Sequence, residues 1–165
     1  LAELGGCYRR LKVFEPGIRE MLGPRFMLID LDCVIVRDLQ PLLARNEAVI
    51  FNAYRPLSRR DPDQFYNGGL MLMDAGARPQ VWESFDPIRS PQKIARARLA
   101  CIGTDQAWIR LTLGKGEARF TEADGVYEFR QVRDRLPANA RLVLFAGARD
   151  PSTLQEVAWV RRHWQ

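Results

Sequence analysis

Arg25-Phe26-Met27-Leu28-Ile29-Asp30-Leu31-Asp32 is the stretch on which the reading of this chain turns. Phe26 to Ile29 is an unbroken apolar run behind Gly23-Pro24, the pattern of a buried strand. It stops at two aspartates one residue apart. A strand has a period of two, so Asp30 and Asp32 project to one side if the extension continues. Two carboxylates converging at the carboxyl end of a core strand are costly unless a cation lies between them. A hard divalent cation such as Mn²⁺ or Mg²⁺ meets that need, because it takes carboxylate oxygens and leaves positions for phosphates. The plainer alternative is a strand end with solvated acids that cap the next turn.

The chain has 165 residues, enough for one domain with a sizeable core. A hydrophobic content of 47% and a charged content of 27% fit a globular protein rather than a disordered or fibrous one. The net charge of +5 is carried mainly by arginine. It suits a nucleotide-diphosphate site or an anionic surface as well as nucleic acid. The arginines are spread along the chain, which favours a solvated basic surface, and no nucleic-acid motif accompanies them. Cys7, Cys33 and Cys101 are odd in number and widely spaced, so they imply mostly buried thiols in a reducing, cytoplasmic compartment rather than a disulfide framework or zinc site. No apolar run approaches the ~18 residues of a membrane span. The chain opens at Leu1 on what reads as the middle of a helix or loop, and is expected to be part of a longer protein.

Working outward, Tyr8, Leu11, Val13 and Phe14 form the apolar face of a short helix. After Asp32, Cys33 to Val36 reads as a strand, Pro41-Leu42-Leu43 as a helical turn and Ala48 to Phe51 as another strand. Residues 54–65, with two prolines and three arginines, read as a surface loop that is either a solvated connection or a flap over substrate. Leu70 to Met73 is apolar on both faces and reads as a central strand. Asn67-Gly68-Gly69 before it lets the backbone approach a neighbouring strand or a sugar. Helices are expected around 79–85 and over 91–99, the second opened by Ser90. Thr104 is placed as an N-cap, with Asp105 and Gln106 in the first turn that follows. Residues 114–125 read as a loop, Val126 to Phe129 and Arg141 to Gly147 as strands. Ser152 or Thr153 is expected to cap a terminal helix burying Leu154, Val157, Ala158 and Trp164. Alternating helices and strands give an α/β class with a mixed sheet.

The motifs gain weight from their order: an apolar strand and Asp-Leu-Asp, then Asn67-Gly68-Gly69-Leu70-Met71-Leu72-Met73-Asp74, then Gly103-Thr104-Asp105-Gln106 before a helix, then Val143-Leu144-Phe145-Ala146-Gly147. From about Tyr8 to Trp164 the chain resembles the GT-A glycosyltransferases, in particular bacterial proteins similar to the glycogenin and lipopolysaccharide galactosyltransferase family. The resemblance implies a GT-A-like mixed sheet flanked by helices, incomplete at its N-terminus. It makes residues 1–165 a single domain corresponding to the C-terminal portion of that fold. It implies that Asp30 and Asp32 hold Mn²⁺ or Mg²⁺ against the donor's diphosphate. Asn67 and the Gly68-Gly69 backbone would approach the donor sugar, and Asp105 and Gln106 would lie beside the transferred sugar and the acceptor. The partners it implies are a nucleotide-diphospho-sugar donor and a carbohydrate or other hydroxyl acceptor.

Two departures from the family pattern stand out. Its late strand ends near a histidine that ligates the metal, followed by a Lys-Pro; here Leu144 to Pro151 holds no histidine, and Asp150 replaces the lysine. Arg149 would supply the missing positive charge, while His163 falls in the terminal helix. Only about 25 residues precede the Asp-Leu-Asp motif, where the family has a nucleotide-binding half. A degenerate domain that binds sugar or nucleotide-sugar without turnover is therefore the alternative to a transferase. A metal-dependent phosphohydrolase also uses two aspartates in this spacing, but leaves Asn67-Gly68-Gly69 and Asp105-Gln106 without a role.

Overall fold

The structure, a computed structural model, describes residues 6–53, 66–97, 104–145, 147 and 149–164. The 54–65 loop, Cys101 and the end of the helix expected over 91–99 lie outside the described residues. The chain divides into two compact units, Leu1–Met27 with Glu47–Arg119, and Leu28–Asn46 with Phe120–Gln165.

The first unit holds a four-stranded sheet in the order β1-β4-β3-β5, built from β1 (Arg25–Ile29), β3 (Val49–Ala53), β4 (Tyr66–Asp74) and β5 (Ala118–Phe120). The last residues of β1 and β5 count with the second unit. β3 and β4 run antiparallel, with Ile50 opposite Leu72, and a bulge between Phe51 and Asn52 shifts the register so that Asn52 faces Asn67. Leu70 to Met73 are fully buried, as apolar residues on both faces of a central strand require. β4 begins at Tyr66, so Asn67-Gly68-Gly69 is part of the strand rather than its approach. β1 departs from expectation in the other direction. It is an edge strand, and all five of its residues are half-buried.

The segment before β1 is a 3₁₀ helix over Gly6–Phe14 that buries Leu11 and Phe14, followed by a second 3₁₀ turn over Pro16–Ile18 and by α1 (Arg19–Leu22). The expected apolar face is real, but the winding is tighter than an α-helix, unusual over nine residues. α3 (Gln80–Glu83), α4 (Arg89–Ala97) and α5 (Asp105–Leu113) complete this unit. α4 starts before Ser90, and Asp86 organises its entry. The Asp86 carboxylate accepts from the Ile88 and Arg89 N–H groups, and the buried Ser90 hydroxyl instead accepts from the Asp86 N–H at 2.9 Å. Those hydrogen bonds favour the charged carboxylate and hold the Asp86 pKa below its usual value.

The second unit holds a mixed three-stranded sheet in the order β2-β7-β6, from β2 (Cys33–Ile35), β6 (Val126–Glu128) and β7 (Leu142–Leu144). β2 is antiparallel to β7, and β6 is parallel to it. α2 (Gln40–Leu43), with Pro41 in its first turn, is the helical turn expected there. α6 (Phe129–Val132) was not expected: Phe129 leaves the strand pattern because Glu128 and Gln131 close a capping box around the helix start. The C-terminal region also differs. Asp150, not Ser152 or Thr153, caps a 3₁₀ turn over Pro151–Thr153 by accepting from the Ser152 N–H at 2.8 Å. α7 (Ala158–His163) buries Trp159 and Val160 against Val34, Val143 and Phe145. The Trp159 indole N–H donates to the Arg133 carbonyl at 2.6 Å, which ties α7 to the end of α6. Residues 114–125, expected as a loop, contain β5 and a 3₁₀ turn over Glu122–Asp124. Of the thiols, Cys33 is buried as expected, whereas Cys7 is exposed.

Leu72→Ala removes a fully buried side chain from the middle of β4. The unfolding free energy is expected to fall by about 2–5 kcal/mol, measured by urea denaturation.

Candidate functional site

In the first unit, three separate pieces of chain meet at the start of α5. Thr104 has the extended backbone of an N-cap (φ −114°, ψ 159°), although its side chain makes no capping hydrogen bond. Asp105 and Gln106 thus occupy the first turn, where a negative charge complements the helix dipole. Asp105 is 1% exposed, yet it is an acid, so its burial needs compensation. Arg10, from the N-terminal 3₁₀ helix, supplies it with an ion pair of 3.4 Å between Nη1 and Asp105 Oδ2.

Gly68 leaves room for this placement of the guanidinium. A Cβ at this position would overlap the Arg10 guanidinium and stand 3.3 Å from Asp105 Oδ2. Its neighbour Asn67 is turned onto its own backbone, its Oδ1 accepting from the Gly69 N–H at 2.6 Å. The structure therefore gathers Gly68 and Asp105, with Asn67, Gly69 and Gln106 beside them in sequence, around a guanidinium that the sequence reading did not single out. Arg10 stands in the arginine pair Arg9-Arg10 within a helix read only for its apolar face. The one available signal was that Asp105, if buried, had to find a cation.

Asp30, Asp32 and Arg149 lie in the second unit. β1 stops at Ile29, and the chain bends through Leu31 and Asp32 before β2 begins. The expected continuation of the strand, which was to align both carboxylates by period, is therefore absent. Leu31 projects into solvent at 90% exposure, while Asp30 and Asp32 are half-buried. The Asp32 carbonyl accepts from the Phe145 N–H at 2.9 Å, so the bend is fastened to the end of β7. Burial, followed by the charges of Asp32 and Asp30, pushes the Cys33 thiol up to about 11. The thiol is thus protonated at neutral pH.

The two carboxylates fit a hard divalent ion as a partial ligand set. Among the described residues, no group of three His, Cys, Asp or Glu side chains is placed to hold one. Arg149 is exposed and makes no ion pair among the described residues. Asp150, in the place of the family's lysine, is spent on capping. Its carboxylate is held below its usual pKa by hydrogen bonds from the Ser152 hydroxyl and N–H.

The fold is that of a glycosyltransferase of the GT-A type. Two crystal structures of the galactosyltransferase LgtC are similar to this chain, each with a TM-score of 0.61. One is a complex with donor and acceptor sugar analogues, 13% identical, covering 94% of this chain and 63% of LgtC. The other is an active-site mutant, 15% identical, covering 94% and 64%. The glycosyltransferase GlyE of Streptococcus pneumoniae is similar at a TM-score of 0.58 and 12% identity, over 99% of this chain and 45% of its own. The chain thus spans less than two thirds of the length of these proteins. At such identities the likeness shows the fold. No protein-family model matches the chain, and no curated protein sequence matches it.

Arg10→Ala removes a compensating charge from a carboxylate that is 1% exposed. Unfolding free energy is expected to fall by about 1–3 kcal/mol, and Arg10→Ala/Asp105→Asn should recover part of the loss in chemical denaturation.

Proposed function

We propose that this chain is the sugar-handling part of a metal-dependent glycosyltransferase that moves a hexose from a nucleotide-diphosphate donor to a hydroxyl acceptor. The observation that carries the reading is the convergence of the Gly68 backbone, Asp105 and Arg10 within a fold that glycosyltransferases share. A glycine in a strand lets a ring come close to the backbone. A buried carboxylate accepts hydrogen bonds from a polyhydroxyl ligand, and the guanidinium beside it donates them. Asn67, Gly69 and Gln106 extend that polar lining, and the fixed positions of these groups orient the anomeric carbon toward an incoming hydroxyl.

Asp30 and Asp32 would hold Mn²⁺ or Mg²⁺. Held there, the ion would supply positive charge against a departing nucleotide diphosphate. Arg149, exposed and unpaired among the described residues, adds a positive charge for phosphate. Asp105 positions hydroxyls rather than attacking carbon, since it is engaged with Arg10. This reading places the protein in the bacterial cytoplasm, where nucleotide sugars are made, with glycan or cell-envelope polysaccharide synthesis as its setting. Among the described residues, no helix is long and apolar enough to cross a membrane.

A second reading is favoured by one observation: the late strand brings no histidine, and no third ligand stands with the two aspartates among the described residues. On that reading the domain binds nucleotide-sugar without turning it over.

Calorimetry with UDP separates both readings from an unrelated use of the fold. Mn²⁺ is expected to tighten UDP binding by tenfold or more in the wild-type chain, and Asp32→Ala should abolish that gain. UDP binding that ignores both Mn²⁺ and the substitution would refute the metal-site assignment.

A further inference from the structure

Tyr8 reads in the sequence as part of an apolar helix face, and its ring does pack that way. It lies 5.0 Å from the Phe85 ring, and Phe85 lies 5.6 Å from Trp108 in an edge-on contact. Trp108 is locked in turn by an indole N–H donated to the Val81 carbonyl at 2.8 Å. Trp108 sits three residues after Asp105 on α5, so the two share a helix face. The aromatic stack therefore fixes Tyr8 beside the face of α5 that carries the buried carboxylate. Arg10 reaches Asp105 from the same 3₁₀ helix that holds Tyr8.

The Tyr8 hydroxyl is not accounted for by that packing. It is buried and has no hydrogen-bond partner among the described residues. Hydroxyls in this state are rare in folded proteins, because their desolvation goes uncompensated. Phenylalanine would fill the same stack without that cost. Burial first, then the nearby charge of Asp105, holds the phenol above its ordinary pKa, so it is a proton donor at any physiological pH.

We propose that the Tyr8 hydroxyl donates a hydrogen bond to the ring hydroxyls of the donor sugar, and with Arg10 and Asp105 reads a neutral diol. This rests on the transferase reading above and adds a specificity-determining residue to it. The donor and acceptor pattern selects the neutral diol. Tyr8 and Arg10 donate, Asp105 accepts, and a hydroxyl can answer both at once. A carboxylate or phosphate in the same place would meet the buried charge of Asp105 and be repelled. A ligand lacking the hydroxyl would leave the buried Tyr8 hydroxyl unpaired, and a site with such a group discriminates strongly.

The test compares UDP with UDP-glucose and UDP-galactose on the wild-type chain and on Tyr8→Phe, by ligand-observed NMR titration with Mn²⁺. Wild type is expected to bind at least one UDP-hexose more tightly than UDP. Tyr8→Phe should lose about two- to tenfold of that sugar-dependent gain, while its affinity for UDP alone stays unchanged. Its thermal midpoint without ligand should equal or exceed that of wild type, because the ring stack is kept and an unpaired polar atom is gone. A Tyr8→Phe chain that keeps the full sugar-dependent gain overturns the assignment of Tyr8 alone. A wild-type chain that binds UDP but gains nothing from any hexose overturns both this inference and the sugar-handling role on which it rests.

Discussion

A buried carboxylate at the start of α5 constrains the first unit more than any other group. Three features accompany the burial of Asp105. The helix dipole favours a negative charge in the first turn. Arg10 brings a cation from a segment far away in sequence. Position 68 carries no side chain, which leaves room for the guanidinium. Without Arg10 the carboxylate loses its ion-pair partner, and a side chain at 68 would displace the guanidinium from its present position. A chain under selection for stability alone would do better with an apolar residue at 105, since buried ion pairs rarely repay their desolvation. Retaining the carboxylate makes sense if its oxygens have work to do on a ligand.

The second unit solves a different problem. Its Asp30-Leu31-Asp32 bend presents two acids, and the backbone fixes the bend by the hydrogen bond from Phe145 to the Asp32 carbonyl. Beneath it, Cys33 is a buried protonated thiol, its pKa raised first by burial and then by the charges of Asp32 and Asp30. The core of this unit is formed by Val34, Val143, Phe145 and the aromatic face of α7.

The parts of this architecture that were legible in the sequence are those with local causes. Leu70 to Met73 announced a central strand because apolar residues on both faces have no other stable home. Thr104-Asp105-Gln106 announced a helix start because its polar groups suit the unpaired N–H groups there. What escaped has non-local causes. β1 looks like a core strand, yet its place at the sheet edge is decided by which strands pair, not by its own side chains. The start of α4 was set by Asp86, which reaches over two intervening residues, and the C-terminal turn by Asp150, where a hydroxyl residue was the expected cap. α6 replaced the end of an expected strand because Gln131 reaches back to Glu128. Arg10 and the Tyr8 hydroxyl were hidden for the same reason. Their significance lies in Asp105, almost a hundred residues away, and only the fold brings the three segments together. Asp30 and Asp32 were the easiest candidates to name, but their alignment by strand period gave way to a bend.

The central claim is that this chain handles a nucleotide-activated hexose. The most direct measurement is the fate of UDP-galactose and UDP-glucose incubated with the chain and Mn²⁺, followed by NMR for release of UDP and free or transferred hexose. The account predicts slow, Mn²⁺-dependent cleavage of at least one donor, lost on removal of the metal by EDTA. An intact donor that also shows no binding to the chain would contradict it.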